Sequence, residues 1–128
     1  MIVDSSALLS AVLAEPDAAL YARPIAVSDS RRIPSVTWFE AAARIDAKGD
    51  AFAVGGFPRE FQIETVPSTS DHAREARRAR MRHGKPHHPA RLNFGDFSVY
   101  GVAKHERETP LFKGDDVSRT DIEPALKD

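Results

Sequence analysis

Met1-Ile2-Val3-Asp4-Ser5-Ser6-Ala7-Leu8-Leu9-Ser10-Ala11-Val12 is the stretch that decides the fold. A short apolar run ends on an acid, and a helix-forming segment follows with no turn between them. Such a run, apolar without alternation, reads as a strand buried on both faces, Met1–Asp4. Ser5 or Ser6 then caps a helix that runs to Ala14, with Leu8, Leu9, Val12 and Leu13 on its apolar side. Glu15-Pro16 stops it, because the residue before a proline avoids helical geometry.

Outward from this stretch the same cadence repeats. A helix is predicted over Asp17–Ala26, a short strand over Arg32–Ser35, and a helix capped by Ser35 or Thr37 through Lys48. The segment Asp50–Phe61 is ambiguous: Phe52, Phe57 and Phe61 suggest core contacts, while Gly55, Gly56 and Pro58 interrupt any period. Gln62–Val66 alternates and is β-branched, so it reads as a strand. Ser68–Arg82 is rich in Ala and Arg and reads as a helix. His83–Arg91, with Gly84, Pro86 and Pro89, reads as a loop. Asn93 opens a helix to Glu106, Pro110–Phe112 is the last strand, and Gly114-Asp115-Asp116 is a turn. Strands alternating with helices predict an α/β fold: a short central parallel β-sheet flanked by α-helices, one domain over residues 1–128.

Composition narrows the function classes. At 128 residues the chain has room for one modest core, with a radius of gyration of about 14 Å. Nineteen of its residues are Ala, so that core must rely on helices approaching closely through small side chains. There is no Cys, which excludes disulfides, thiolate-zinc sites and thiol nucleophiles and suits a cytoplasmic protein. The N-terminus meets Asp4 at once and lacks a basic lead, so it is not expected to be a signal peptide. No apolar run approaches the roughly 18 residues of a membrane span.

The candidate chemistry lies in carboxylates. In open α/β sheets ligands bind beyond the carboxyl ends of the strands. Asp4 ends the first strand, Glu40 sits near the start of the helix after the second, and Asp96 sits at the start of the Asn93 helix. Asp115 and Asp116 follow the last strand. Two like charges about 4 Å apart repel by roughly 4 kcal/mol at an effective dielectric near 20. Converging carboxylates therefore call for a cation or for protonation. With oxygen ligands alone the natural guest is Mg2+ or Mn2+, and such a centre suits phosphodiester hydrolysis. Ser6 and Asn93 can orient the carboxylates from behind. Local roles compete with this reading. Asp4 can cap a helix, Glu40 can serve a helix dipole, Asp96 can be the capping partner of Asn93, and Asp115 and Asp116 can be turn residues.

Charge is unevenly spread although the net formal charge is −1. His72–Arg91 holds six Arg, one Lys, four His and a single acid, Glu75. It can grip a phosphate backbone, with Arg78, Arg82 and Lys85 as the candidate contacts, or it can be a solvated surface. His83, His87 and His88 share a suggestive spacing, but Gly84 and Pro86 prevent the helix that would align them for zinc.

Four segments together resemble a known family. Met1-Ile2-Val3-Asp4-Ser5-Ser6-Ala7-Leu8, Trp38-Phe39-Glu40-Ala41-Ala42, Leu92-Asn93-Phe94-Gly95-Asp96-Phe97-Ser98-Val99-Tyr100-Gly101-Val102-Ala103-Lys104, and Pro110-Leu111-Phe112-Lys113-Gly114-Asp115-Asp116 with Thr120-Asp121-Ile122 are similar, in order, to the motifs of PIN-domain ribonucleases. They resemble in particular the VapC toxins of bacterial toxin–antitoxin pairs. The resemblance implies a PIN-like domain and an Mg2+- or Mn2+-dependent endoribonuclease that cuts transfer or ribosomal RNA. It also implies inhibition by a cognate VapB-type antitoxin and a homodimer. Asp4 and Asp96 match the principal metal ligands and Glu40 the third acid. The fourth acid is either Asp115 or Asp116. Ser5 stands where Thr is commoner and Val117 where an aromatic is usual, and neither is expected to touch the acids. An inhibitor is expected to place an Arg or Lys among Asp4, Glu40 and Asp96 and to cover apolar surface around Leu8, Leu9 and Val12. The alternative reading is a catalytically silent PIN-like module that binds RNA or protein. A metal-dependent phosphatase is disfavoured, since Ser6 stands where a second Asp would be needed.

Overall fold

The computed structural model describes residues 1–13, 15–48, 62–83 and 92–113. The expectations for Asp50–Phe61, Lys85, the loop after His83, Asp115, Asp116 and Val117 lie outside these residues. Among the described residues the order is β1 (Ile2–Val3), α1 (Ser5–Val12), α2 (Ala18–Val27), β2 (Arg32–Pro34), α3 (Ser35–Ala47), β3 (Glu64–Val66), α4 (Ser70–His83), α5 (Phe94–Glu106) and β4 (Pro110–Leu111). The four strands form one parallel sheet in the order β3-β2-β1-β4. The first three strands step outward in one direction. The α4–α5 pair then carries the chain back to lay β4 on the other side of β1. The order thus reverses at the carboxyl end of β1, where a ligand crevice opens in α/β sheets.

The strands are short because each needs only two or three residues to cross the core. Their side chains alternate between two apolar layers. Ile2 joins Phe97, Tyr100, Val102 and Phe112 beneath α4 and α5. Val3, Ile33 and Leu111 join Leu8, Ile25 and Ile45 beneath α1, α2 and α3. Gln62, expected within the third strand, lies outside it. Its φ of 53° is left-handed, so the extended backbone begins only at Glu64.

Two helix starts differ from expectation. Asp4, rather than Ser5 or Ser6, caps α1, its side chain accepting a bond from the Ser6 backbone N–H. For α3 neither Ser35 nor Thr37 caps. Pro34 is the N-cap residue, and it has no side-chain hydrogen bond to give. The α5 start is as read: Asn93 and Asp96 form a reciprocal capping box. No helix among the described residues is long and apolar enough to cross a membrane.

The edge of the sheet opposite the crevice is tied by charge. Arg32 donates to Glu108 at 3.0 and 2.6 Å, and the N-terminal ammonium reaches the same carboxylate at 3.3 Å. Burial works against the Glu108 charge, but these cations outweigh it and hold the carboxyl below its usual range. The expected dependence on small residues is clearest between α4 and α5. A methyl group built on Gly101 would come within 2.4 Å of the His72 carbonyl oxygen and 3.1 Å of Ala76 Cβ. The backbone atom cannot step aside unless α4 moves. Gly101→Ala should therefore destabilise the protein by about 1–3 kcal/mol in urea denaturation despite the better helix propensity of Ala. An unchanged midpoint would show that the two helices separate freely.

Candidate active site

Asp4 follows β1 and begins α1, so its position is fixed by both elements. Its backbone N–H donates to the Leu111 carbonyl at 2.9 Å, locking it beside the end of β4. Its side chain is only 2% exposed. The Ser6 backbone N–H (3.0 Å) and hydroxyl (2.6 Å) both donate to Oδ2. Ser6 Oγ in turn accepts from the Lys113 backbone N–H at 3.0 Å, so one hydroxyl joins the end of β4 to the acid. Oδ1 accepts no hydrogen bond among the described residues.

Glu40 arrives from the second layer. It is the sixth residue of α3, too far along for a first-turn dipole role. Its Oε1 accepts a short hydrogen bond from the Ser5 hydroxyl. Its carboxylate lies against Gly95: a methyl group built there would stand 2.7 Å from Oε2. Asp96 follows one residue later, and its Oδ2 accepts from the Asn93 backbone N–H at 3.0 Å. The first turn of α5 thus brings Asp96 and the back of Glu40 to one place.

Asp96 and Glu40 lie near enough for their charges to act on Asp4. Burial pushes the Asp4 carboxyl up, the two Ser6 hydrogen bonds pull it back, and the nearby Asp96 and Glu40 charges push it further, to about 6. A buried carboxylate with one oxygen unbonded and two further acids nearby has the oxygen chemistry that suits a hard divalent cation, although the three do not all bring ligand atoms within 4.8 Å of one another. Asp4, Glu40 and Asp96 would hold it, with Ser6, Ser5 and Asn93 fixing their orientations. The local roles expected for Asp4 and Asp96 hold: both are helix-start acids. The two readings do not compete, because capping engages only part of each carboxylate.

Ser5 and Gly95 were missed as site residues. Ser5, expected to leave the acids alone, is the first residue of α1, and its hydroxyl donates to Glu40 of α3. Gly95 could be found only from its place between Asn93 and Asp96. The apolar face expected to receive an inhibitor is also corrected. Leu8 is fully buried and Leu9 is 6% exposed, because α2 and α3 already cover that side of α1.

A second cluster lies at the far end of α5. His72, His105 and Glu106 bring ligand atoms within 4.8 Å of one another. Hydrogen bonding argues against a metal there. His72 Nδ1 accepts the Thr69 backbone N–H at 3.1 Å, so the ring proton sits on Nε2 and is donated to Glu106 at 2.9 Å. That bond holds the Glu106 carboxyl below its usual range. Binding a cation through Nε2 would move the proton onto Nδ1, against the Thr69 N–H. The cluster is a helix-start lock between α4 and α5.

The raised Asp4 value has a stability consequence. Between pH 3.8 and about 6 the folded protein keeps a proton that the unfolded chain has released. Stability from this group therefore falls as pH rises through that window, by a total on the order of 3 kcal/mol, and stays lower above it. Asp4→Asn keeps the cap and removes the charge. In EDTA it should be more stable than wild type at pH 7.5 and nearly equal to it at pH 4, by denaturant titration. A variant less stable at pH 7.5 would refute the assignment of strain to this charge.

Comparison with known proteins bears on the family and the fold. The sequence profile of the PIN domain matches residues 1–123. Ribonuclease VapC28 of Mycobacterium tuberculosis is 37% identical over 130 aligned positions, covering 98% of each chain. Ribonuclease VapC30 of the same organism is 35% identical over 95% of each, and ribonuclease VapC42 is 34% identical over 98% of each. Among solved structures, the M. tuberculosis VapC20 toxin, a sarcin-ricin loop cleaving protein, superposes with a TM-score of 0.76 over 95% of each chain at 12% identity, a likeness of fold. The chain belongs to the PIN-domain family and, within it, to the VapC ribonucleases.

Proposed function

We propose that this VapC-type ribonuclease is the toxic component of a toxin–antitoxin pair. It hydrolyses RNA phosphodiester bonds with a divalent cation held by Asp4, Glu40 and Asp96. The observation that carries the reading is the buried Asp4 carboxylate, crowded by two further acids at the crevice where the sheet order reverses. The cation, Mg2+ or Mn2+, supplies a positive centre that orients the scissile phosphate, makes water a stronger nucleophile and offsets charge on the leaving oxygen. The chain's own residues prepare that centre. Ser6 turns Asp4 so that Oδ1 is left for coordination, and the Lys113 backbone N–H holds the Ser6 hydroxyl in place. Ser5 and the bare Gly95 backbone let Glu40 lie flat beside Asp96, while Asn93 holds Asp96 from its cap. Asp115 or Asp116, following β4, would complete the acidic rim.

The finer features follow from the same reading. The substrate is transfer or ribosomal RNA, the partner a VapB-type antitoxin, the assembly a homodimer and the compartment the cytoplasm. An antitoxin Arg or Lys placed among the three acids would occupy the position of the cation through charge-assisted bonds. A catalytically silent module is disfavoured because such a protein gains nothing from keeping a buried, uncompensated acid.

Cleavage of total RNA should require Mg2+ or Mn2+ and stop in excess EDTA. Asp96→Asn should lower Mn2+ affinity in calorimetric titration and abolish cleavage while the protein stays folded. Metal-independent cleavage would overturn the mechanism. Gly95→Ala should also cut activity at least tenfold with little loss of stability, because the new methyl displaces the end of the Glu40 side chain rather than backbone. Full activity in that variant would remove Glu40 from the site.

A further inference from the structure

The basic side chains away from the acids differ in where their partners lead. Arg74 pairs with Asp71, Arg78 pairs with Glu75, and Arg82 donates to the Tyr100 hydroxyl, all within the α4–α5 pair. Lys113 is different, because its backbone and its side chain both reach α1 and the residues just before α2. Its ammonium donates to Glu15 at 2.6 Å and lies 3.4 and 3.3 Å from the two oxygens of Asp17. Asp17 also accepts from the Ser10 hydroxyl at 2.5 Å, and Ser10 is fully buried on α1. The Ser10 bond first, and the Lys113 ammonium after it, hold the Asp17 carboxyl below its usual range. Glu15, and after it Asp17, push the pKa of the Lys113 ammonium up.

These contacts close a ring with the acid at one end. Ser6 and Ser10 are four residues apart, so they share one side of α1, about 6 Å from each other along its axis. The Lys113 backbone N–H donates to the Ser6 hydroxyl at 3.0 Å, and the Lys113 ammonium reaches the Ser10–Asp17 pair. One residue thus spans two successive turns of α1. The pleat directs it there. Leu111 faces the layer of α1, α2 and α3, Phe112 faces the opposite layer, and Lys113 returns to the α1 side. The strand itself ends at Leu111, so the ladder does not fix the Lys113 N–H. The Ser6 hydroxyl has one proton to give. With the Lys113 N–H on one lone pair, that proton points to Asp4 Oδ2 at 2.6 Å, and Oδ1 is left over.

We propose that Lys113 is a positioning residue: its ammonium, gripped by Glu15 and Asp17, holds its own backbone N–H on Ser6 and so sets the orientation of the Asp4 carboxylate toward the cation. The proposal deepens the metal-dependent ribonuclease reading and rests on it for the role of Asp4. An exposed ion pair adds little to global stability, so the effect belongs to the site rather than to the fold.

The test separates orientation from folding and from RNA contact. Mn2+ is titrated calorimetrically into the full chain as wild type, Lys113→Met, Lys113→Arg and the double variant Glu15→Gln/Asp17→Asn. Lys113→Met keeps the stem and removes the charge. It should bind Mn2+ about tenfold more weakly, with a urea midpoint in EDTA close to that of wild type. Lys113→Arg should keep most of the affinity. The double variant should also bind Mn2+ more weakly, and adding Lys113→Met to it should cost little beyond Lys113→Met alone, because all act through one ring. In EDTA the Ser6 amide, which donates to Asp4, should exchange roughly fivefold faster in Lys113→Met. On RNA, kcat should fall with KM unchanged. Wild-type Mn2+ affinity in Lys113→Met and in the double variant overturns the proposal, as does a wild type that binds no Mn2+. A rise in KM alone makes Lys113 a phosphate contact and overturns it too. So does an affinity loss that follows a lowered urea midpoint and is not rescued by Arg, since the residue is then structural. If wild type cleaves no RNA but the differences in Mn2+ affinity hold, the ribonuclease reading fails and the positioning role stands.

Discussion

One buried carboxylate organises this protein. Asp4 terminates β1, caps α1 and sits where the sheet order reverses, with its charge opposed by burial and by two other acids. A structure that keeps such a group ionised at neutral pH forgoes stability, and it must hold the group rigidly from several sides. The Leu111 carbonyl fixes its backbone, and Ser6 fixes one oxygen and is itself fixed by the Lys113 backbone. The sequence order therefore matters at single-residue precision: strand, acid, serine, serine, helix. Moving Asp4 by one residue would turn it into an apolar layer.

The remainder of the fold supplies what the crevice cannot. Away from the acids, opposite charges meet. Arg32, Glu108 and the N-terminal ammonium tie together the chain at the starts of β2, β4 and β1, and His72 with Glu106 ties α4 to the end of α5. Apolar burial on both faces of the short sheet and close approach of α4 to α5 through Gly101 and Ala76 carry most of the packing. Stability is concentrated in the layers and at the far edge, while like charges are gathered at the functional edge. The division lets a strained site exist in a small domain.

Glycine serves two different purposes on one helix. Gly101 lets a neighbouring helix backbone come close, and Gly95 lets a carboxylate lie across the first turn. The first protects the fold and the second the site. The same helix carries Phe94, so its first turn holds an exposed ring, a bare backbone and an acid in succession. The neighbouring α4 presents two faces. Arg74 and Arg78 are neutralised by acids one turn away, while Arg77 and Arg80 line a groove between α4 and α5.

The order and type of the elements were legible in the sequence because short apolar runs alternate with longer helix-forming segments, and Pro16, Gly49 and Gly84 punctuate three of the helices. Local rules also identified Asp96 with Asn93, since a capping box is a contact within one turn. Asp4, Glu40 and Asp96 could be named as candidates, by position after strands and by family resemblance. That the Glu40 and Asp96 charges act on Asp4 was decided by the tertiary structure, because their segments are far apart in sequence and come near it only when α3 and α5 dock on opposite sides of β1. Ser5 escaped for the same reason. Its partner Glu40 is thirty-five residues away, and no local pattern links a hydroxyl to a distant acid. Leu8 and Leu9 looked like an open apolar face because periodicity reports which side of a helix is apolar and is silent on what covers it. The basic stretch shows the limit from the other direction. Sequence gives its charge, but only the packing of α4 on α5 separates the arginines already paired from Arg77 and Arg80 at the groove.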